Sequence, residues 1–445
     1  MNKLKIGVLA ASIAWAWPSL SFAETTPNEA LAAELRELKA RMADLEKRLA
    51  ETEAKPAAGM TPDQQSEFNR IALKAEALED SRDFMGLKGL KFSGYIDPSF
   101  VWNRDQDRAG FQFLNAIGQG GYSYDNGYFA TAMLDLLKET DSGTRWHLTL
   151  APNRGAGALL DGNSIVQEAS VSLPLTDLQT RLIAGQIPDW SGYEFVPATQ
   201  NKLVTHNLLF DFTLPIAYTG IGLDVLRGKW ETKVMLANMN STIRAPRDKA
   251  PVLAYRVDYS KGEFNGFGFA GVHGKTTNFA SADLSDSRVD TFELDGYFIR
   301  GAWTVQGQLS VGRQKGAAIT PDPDTGAARD AKWWGASALA AYNFTPVLAG
   351  IVRADYINNH KNGGGLLGYG VADDRNGIGP TADAPERGAN RAALSLGLLY
   401  NFNLNTSFKL EFRNDFASQP VFLDVRTGAY RKHNQLLGGS MVVSF

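Results

Sequence analysis

The sequence predicts an all-β transmembrane barrel of about sixteen antiparallel strands, preceded by a short α-helical coiled coil. Three observations carry this prediction. From Leu90 onward the apolar residues recur with a period of two rather than 3.6. The connections between the resulting strands alternate strictly between short and long. The chain also ends on an aromatic residue, Phe445, after outward positions Leu437, Met441 and Val443 of the same face.

Taken from the N-terminus, residues 1–23 read as a secretory signal peptide. Lys3 and Lys5 supply the positive start, Ile6 to Trp17 the apolar run, and Ser21-Phe22-Ala23 a small-x-small cleavage site. The alternative, a membrane anchor, fails because the run is short and Pro18 interrupts it. Removal of the two lysines takes the formal charge from −3 to about −5, which argues against a nucleic-acid partner. The Cys count is 0, as suits a large exported chain crossing an oxidising compartment unfolded. With 44 Gly, 11% aromatics and a mean hydropathy of −0.22, the composition is unlike that of a helical membrane protein. After the signal, no stretch approaches the run of about 20 apolar residues that a spanning helix needs. A polar chain that enters a membrane without such helices must close a barrel.

Residues 24–55 predict a periplasmic coiled coil. Leu31, Leu35, Leu38, Met42, Leu45 and Leu49 form an a/d seam, and the flanking pairs Glu34–Lys39, Arg41–Glu46 and Arg48–Glu53 are all opposite in sign. The competing reading is a solvated amphipathic helix with ordinary intrahelical pairs. About three heptads is close to the minimum, so association would depend on a larger body holding the copies together. Residues 56–89 hold a linker, broken by the KPAAGMTP segment from Lys55, and a second helix with Phe68, Ile71, Ala75 and Leu78 at helical spacing.

Residues 90–445 make the barrel. Strands are expected near 91–102, 127–138, 144–152, 165–173, 180–187, 217–226, 229–238, 252–260, 265–274, 290–299, 303–313, 332–343, 347–357, 391–401, 405–416 and 432–445. The clearest is Thr406 to Phe416, where Phe408, Leu410, Phe412 and Phe416 share one face and Lys409, Glu411, Arg413 and Asp415 the other. In a soluble sandwich the charged face would meet water; in a barrel it lines the lumen. The loops separate the two readings. Short turns include Asp141-Ser142-Gly143, Arg227-Gly228, Arg300-Gly301 and Thr345-Pro346, whereas 103–126, 188–216, 314–331, 358–390 and 417–431 are long. Short periplasmic turns on one rim and long external loops on the other belong to a porin-type barrel. Trp146, Trp230, Tyr255, Tyr259, Trp303, Trp334, Tyr342, Tyr356 and Tyr400 fall toward strand ends, where interface girdles are expected.

The face opposite the lipid face yields the pore-lining candidates. They are Arg145, Glu168, Arg181, Asp224, Lys233, Arg256, Asp258, Glu293, Asp295, Arg353, Asp355, Lys409, Glu411, Arg413 and Asp415, with Asp135 and Glu231 beside them. Their signs interleave, so strong ion selectivity does not follow, and the same residues could instead be ion pairs that merely fill the lumen. The long connection from Pro188 to Pro215 is the candidate constriction. It carries Leu203, Val204, Leu208, Leu209, Phe210 and Phe212, too much apolar surface for a loop in water. Asp189, Glu194, Lys202, His206 and Asp211 would present polar groups at the narrowing; a loop packed at a subunit interface is the other reading. Enzymatic readings find no support, since none of the five histidines sits in a nucleophile motif such as G-x-S-x-G. The turn from Asp322 to Gly326 has oxygen ligands at alternate positions but lacks the later Glu of a calcium loop. No cofactor is expected.

Several segments resemble a proteobacterial family of outer-membrane porins, with a wider similarity to OmpL-like β-barrel porins. They are Gly94-Tyr95-Ile96-Asp97-Pro98, Phe113-Leu114-Asn115, Tyr124-Asp125-Asn126, Ala151-Pro152-Asn153-Arg154-Gly155, Gly185-Gln186-Ile187-Pro188 and Thr205-His206-Asn207-Leu208-Leu209. The resemblance implies an outer-membrane location, diffusion-pore activity for small hydrophilic solutes, a homotrimer, and Phe445 as the signal read by the barrel-assembly machinery. An even strand number places both termini in the periplasm. The alternative function is a structural or tethering barrel, closed at rest, whose coiled coil contacts periplasmic partners.

Overall fold

A computed structural model describes residues 62–84, 86–113, 129–152, 165–241, 251–260, 263–360 except 279, 284 and 320, and 377–445 except 380, 382 and 383. The signal peptide, the coiled coil and most of the linker lie outside the described residues. The second helix, α1, runs over Pro62–Phe84 and opens on a proline, whose missing N–H costs nothing in a first turn.

The rest is one closed antiparallel sheet of sixteen strand positions, as the alternation predicts. The first position is shared by β1 (Leu90–Ile96) and β2 (Ser99–Asn103), and β3 (Arg108–Gln112) folds back on β2 as a hairpin. The barrel then proceeds through β4 (Ala132–Glu139), β5 (Arg145–Leu150), β6 (Val166–Asp177) and β7 (Thr180–Pro188). Next come β8 (Ala217–Arg227), β9 (Trp230–Met239), β10 (Val252–Ser260), β11 (Asn265–Thr277) and β12 (Asp286–Arg300). It continues with β13 (Trp303–Gln314), β14 (Ala331–Asn343), β15 (Leu348–Asn358), β16 (Arg391–Asn401) and β17 (Thr406–Ala417). The hairpin β18 (Phe422–Asp424) and β19 (Ala429–Arg431) stands outside the ring, and β20 (His433–Ser444) completes it.

From β4 to β17 each strand pairs with the next in the chain, so hairpins set the register. Arg300 lies opposite Trp303, and Gly301 takes a φ of +56 in the two-residue turn between them, a conformation cheap only for glycine. Closure needs one non-local pairing. Tyr95 and Ile96 of β1 lie opposite Ser444 and Val443 of β20, and the Phe445 N–H donates to the Gly94 carbonyl at 3.0 Å. The Phe445 ring lies 5.6 Å from that of Phe92, on the exposed outer wall.

The expected first strand, 91–102, is broken at Asp97-Pro98. Pro98 has no N–H for the ladder, and the buried Asp97 side chain takes over local hydrogen bonding. It accepts from the Ala130 N–H at 3.1 Å and from the Ser440 hydroxyl across the seam. Outside, the aromatic pairs Trp230–Tyr259 (4.7 Å) and Trp303–Tyr342 (4.8 Å) stand at the short-turn rim.

Candidate functional site

The 188–216 connection folds into the lumen, because its apolar side chains find there the burial that water denies them. Its two ends are tied at the wall. The Asp189 N–H donates to the Ile216 carbonyl at 2.9 Å, Tyr218 donates to Asp189 Oδ1 at 2.6 Å, and Trp190 packs on the Tyr218 ring. From this neck the segment crosses toward the strands that come later in the chain. The Tyr193 hydroxyl lies 2.6 Å from that of Ser337 on β14, and the Ala198 N–H donates to the Tyr95 hydroxyl at 3.2 Å.

Charged side chains on β15 and β17 hold its middle. Glu411 accepts from the backbone N–H groups of Val204 (2.9 Å) and Thr205 (2.7 Å) and from the Thr205 hydroxyl (2.8 Å). Arg353 donates to the Thr205 and His206 carbonyls at 2.7 and 2.9 Å and pairs with Glu194 Oε1 at 2.8 Å and Asp355 Oδ2 at 3.2 Å. Arg413 also donates to the His206 carbonyl, at 2.8 Å, while its Nε–H reaches Asp415 at 2.9 Å. Lys409 donates to the Ala198 carbonyl at 2.5 Å. A non-helical backbone with its polar groups satisfied in this way can persist at membrane depth.

A short helix, α2 (Leu208–Phe212), follows, capped by the Asn207 side chain, which accepts from the Phe210 N–H at 2.8 Å. Leu208, Leu209 and Phe212 are fully buried in a core that includes Met235, Met239, Val252, Trp333 and Ile357 of the inner wall. Part of the lumen face is therefore apolar, contrary to the rule that inward positions are polar. The inserted helix supplies an apolar partner that an open water-filled pore would lack.

The fifteen inward candidates fall into two groups. Glu293, Asp295, Arg353, Asp355, Lys409, Glu411, Arg413 and Asp415 are buried, several of them beneath the inserted segment. Arg145, Glu168, Asp224, Lys233, Arg256 and Asp258 on β5–β10 keep access to the lumen, and Arg181 is buried against Ser172 and the Gly143 carbonyl. Arg256 links the groups, reaching Asp258 and Asp295 at 2.7 Å each. His147, absent from the inward set read from the sequence, bridges Asp135 (2.8 Å) and Glu168 (2.9 Å). An acidic residue two positions from each wall neighbour of a histidine is too common a pattern to have flagged it.

Within the segment itself, Glu194 and His206 are turned into the packing, and Asp189 and Asp211 are half-buried with carboxyl oxygens turned away from solvent. The His206 ring stacks on Phe210 at 4.0 Å and bonds the Phe195 carbonyl at 2.7 Å. Lys202, like Asp189 and Asp211, is half-buried. Glu194, Asp189 and His206 reach hydrogen-bond partners there, which burial of polar groups requires.

Burial pushes the Asp211 carboxyl up to about 8 and that of Asp189 to about 6, and it raises that of Glu194 too. Each holds its proton more tightly with the segment seated than with it free. Seating is therefore strongest in acid and weakens as the pH rises from the ordinary carboxylate range through the raised values. Limited proteolysis of 189–216 should accelerate between about pH 5 and pH 9, and Asp211→Asn should flatten the alkaline part of that profile. A wild-type profile flat over this range would contradict the assignment.

Solved structures that share the architecture include two outer-membrane channels. An anion-selective porin from Comamonas acidovorans aligns with a TM-score of 0.51 and 13% identity, covering 80% of this chain and 99% of that one. The outer membrane channel DcaP of Acinetobacter baumannii gives a TM-score of 0.50 and 12% identity over 80% and 97%. A search of curated proteins finds no match. The OmpL-like resemblance is not carried by these comparisons. A family model described as a protein of unknown function (DUF3138) matches residues 60–250 and 291–445, well over half of the sequence, and the chain belongs to that family.

Proposed function

We propose that the protein is an outer-membrane porin that passes small hydrophilic solutes by diffusion between the inserted segment and the charged wall of β5–β10. The observation that carries this reading is a long segment seated inside a closed barrel while one wall keeps half-exposed charges of both signs. A purely filling network would bury these as it buries Arg353 and Glu411. The leader and coiled coil expected from the sequence of residues 1–55, and the resemblance to OmpL-like porins, support the location and a homotrimer. Phe445 at the seam supports recognition by the barrel-assembly machinery.

On the accessible wall, Asp135, Glu168, Asp224, Glu231 and Asp258 stand against Arg145, Lys233 and Arg256. The excess of carboxylates is small, so a weak cation preference is expected. Protein in planar bilayers should give stable conductance steps, with a reversal potential in asymmetric KCl of the sign for cations and only a few-fold selectivity. A folded but channel-silent preparation would refute the porin reading.

The apolar packing of α2 favours a second reading, a barrel closed at rest that tethers the outer membrane to periplasmic partners. Liposome swelling with and without residues 24–85 separates the two. Swelling only after truncation would favour the tether.

A further inference from the structure

The outward face of the barrel is apolar over most of its height, but one patch at the long-connection rim is not. Lys275 and His273 on β11, Arg288 on β12, Arg313 on β13 and Lys332 on β14 all face outward and are exposed. Register brings them together. His273 lies opposite Asp290, Lys275 opposite Arg288, Asp290 opposite Arg313, and Arg313 opposite Lys332. Asp290 organises the centre. It accepts from Arg288 Nε at 3.1 Å and from Arg313 Nε and Nη2 at 3.1 and 2.9 Å, and it lies 3.1 Å from His273 Nδ1. Two guanidiniums thus flank one carboxylate, with Lys275 and Lys332 at the register positions opposite Arg288 and Arg313. At the neighbouring outward positions on β9, β10 and β15 stand Asn238, Leu253 and Asn358, all uncharged. One step further from the apolar band the charges are mixed, with Lys315 near Asp330, which accepts from the Gly316 N–H at 3.0 Å.

Depth places the patch at headgroup level. On β13, Trp303 at the short-turn rim and Arg313 are ten positions apart, and Val305, Leu309 and Val311 between them are exposed. At about 3.3 Å per residue and a tilt of about 40°, this spans roughly 25 Å, the height of the apolar band of a transmembrane barrel. Below the cations, on the same strands, the outer wall is concave. Gly296, Gly307, Ala336, Ala338 and Ala354 leave a groove of about 760 Å³, also lined by Leu294, Leu309 and Tyr356.

We propose that this surface docks one phosphorylated lipid of the outer leaflet, its phosphate held by Arg288, Arg313 and Lys332 and an acyl chain laid in the groove. Two guanidiniums pre-oriented by a shared carboxylate present forked donors suited to phosphate oxygens. The groove beneath them distinguishes a lipid from a free anion. The inference rests on the outer-membrane reading above.

The test uses the full chain in neutral detergent, with native mass spectrometry reading the retention of three probes: bisphosphorylated lipid A, its dephosphorylated form and inorganic phosphate. Wild type should retain the phosphorylated lipid at least about tenfold better than the dephosphorylated one, and inorganic phosphate should not displace it at equal concentration. The triple variant R288Q/R313Q/K332Q should lose this preference while keeping wild-type conductance. Equal retention of both lipids by wild type, an unchanged preference in the triple variant, or displacement by equimolar phosphate would each overturn the proposal. The wild-type comparison decides even if the variant does not fold. Wild type that conducts without lipid preference would defeat this inference alone, whereas wild type that shows the preference but never conducts would defeat the channel alone.

Discussion

Arg353→Ala should release the inserted segment and raise single-channel conductance, with frequent transitions between levels in place of one stable step. The guanidinium is wholly buried and serves Glu194, Asp355, Glu411 and two backbone carbonyls at once. Its removal leaves three carboxylates and two carbonyls without their shared donor, and breaking a buried pair from one side costs about 3–5 kcal/mol. The apolar contacts of α2 would remain, so the segment should loosen in its middle before it leaves the wall. Arg353→Lys should not rescue the single stable level, because an ammonium cannot reach both carbonyls and the flanking carboxylates from one stem. Conductance and stability unchanged in Arg353→Ala would show that the apolar packing alone holds the segment.

The second large effect is expected at the seam. Gly94 lies between β4 and the chain terminus, and a Cβ there would stand 2.6 Å from the Met133 carbonyl oxygen and 3.0 Å from the Phe445 ring. The first contact is with backbone and cannot be relieved by a side-chain rotation. Gly94→Val should therefore push β1 away from both neighbours at the one place where the barrel closes between residues far apart in the chain. Because a sheet that fails to close leaves an unpaired edge in the membrane, the outcome should be loss of the folded form. Heat-modifiable mobility on gels reads this directly. A Gly94→Val protein that shows the wild-type folded band would remove the seam from the list of sensitive sites. Deleting Phe445 should act in the same direction but more weakly, since it removes two backbone hydrogen bonds with Gly94 and one ring contact with Phe92.

Much of the barrel is legible in the sequence because its hairpins are local. Alternation marks each ring strand, and turns such as Gly301 fix the register between consecutive strands. What escaped had weak local signals. Arg108–Gln112 carries no apolar alternation, and β18 and β19 have three residues each. On β9 and β10 period two puts Met235 and Val252 on the inward face with Lys233 and Arg256 but cannot say that they meet a packed core, and on β14 both faces are largely apolar, so the inward position of Trp333 is unmarked. The apolar content of 188–216 was enough to predict that it leaves the water.

The sequence by itself determines the barrel, its strand number, the rim on which the long connections lie, and the inward parity of Arg353, Glu411 and Arg413. Only the tertiary structure decides which of those charges meet water. Arg353 and Glu194 are 159 residues apart, and Glu411 meets Thr205 across 206. Periodicity reports the face a side chain occupies but not what is folded against that face. Burial, pairing and proton affinity all depend on a segment that arrives from elsewhere in the chain, and so they are set by packing rather than by local pattern.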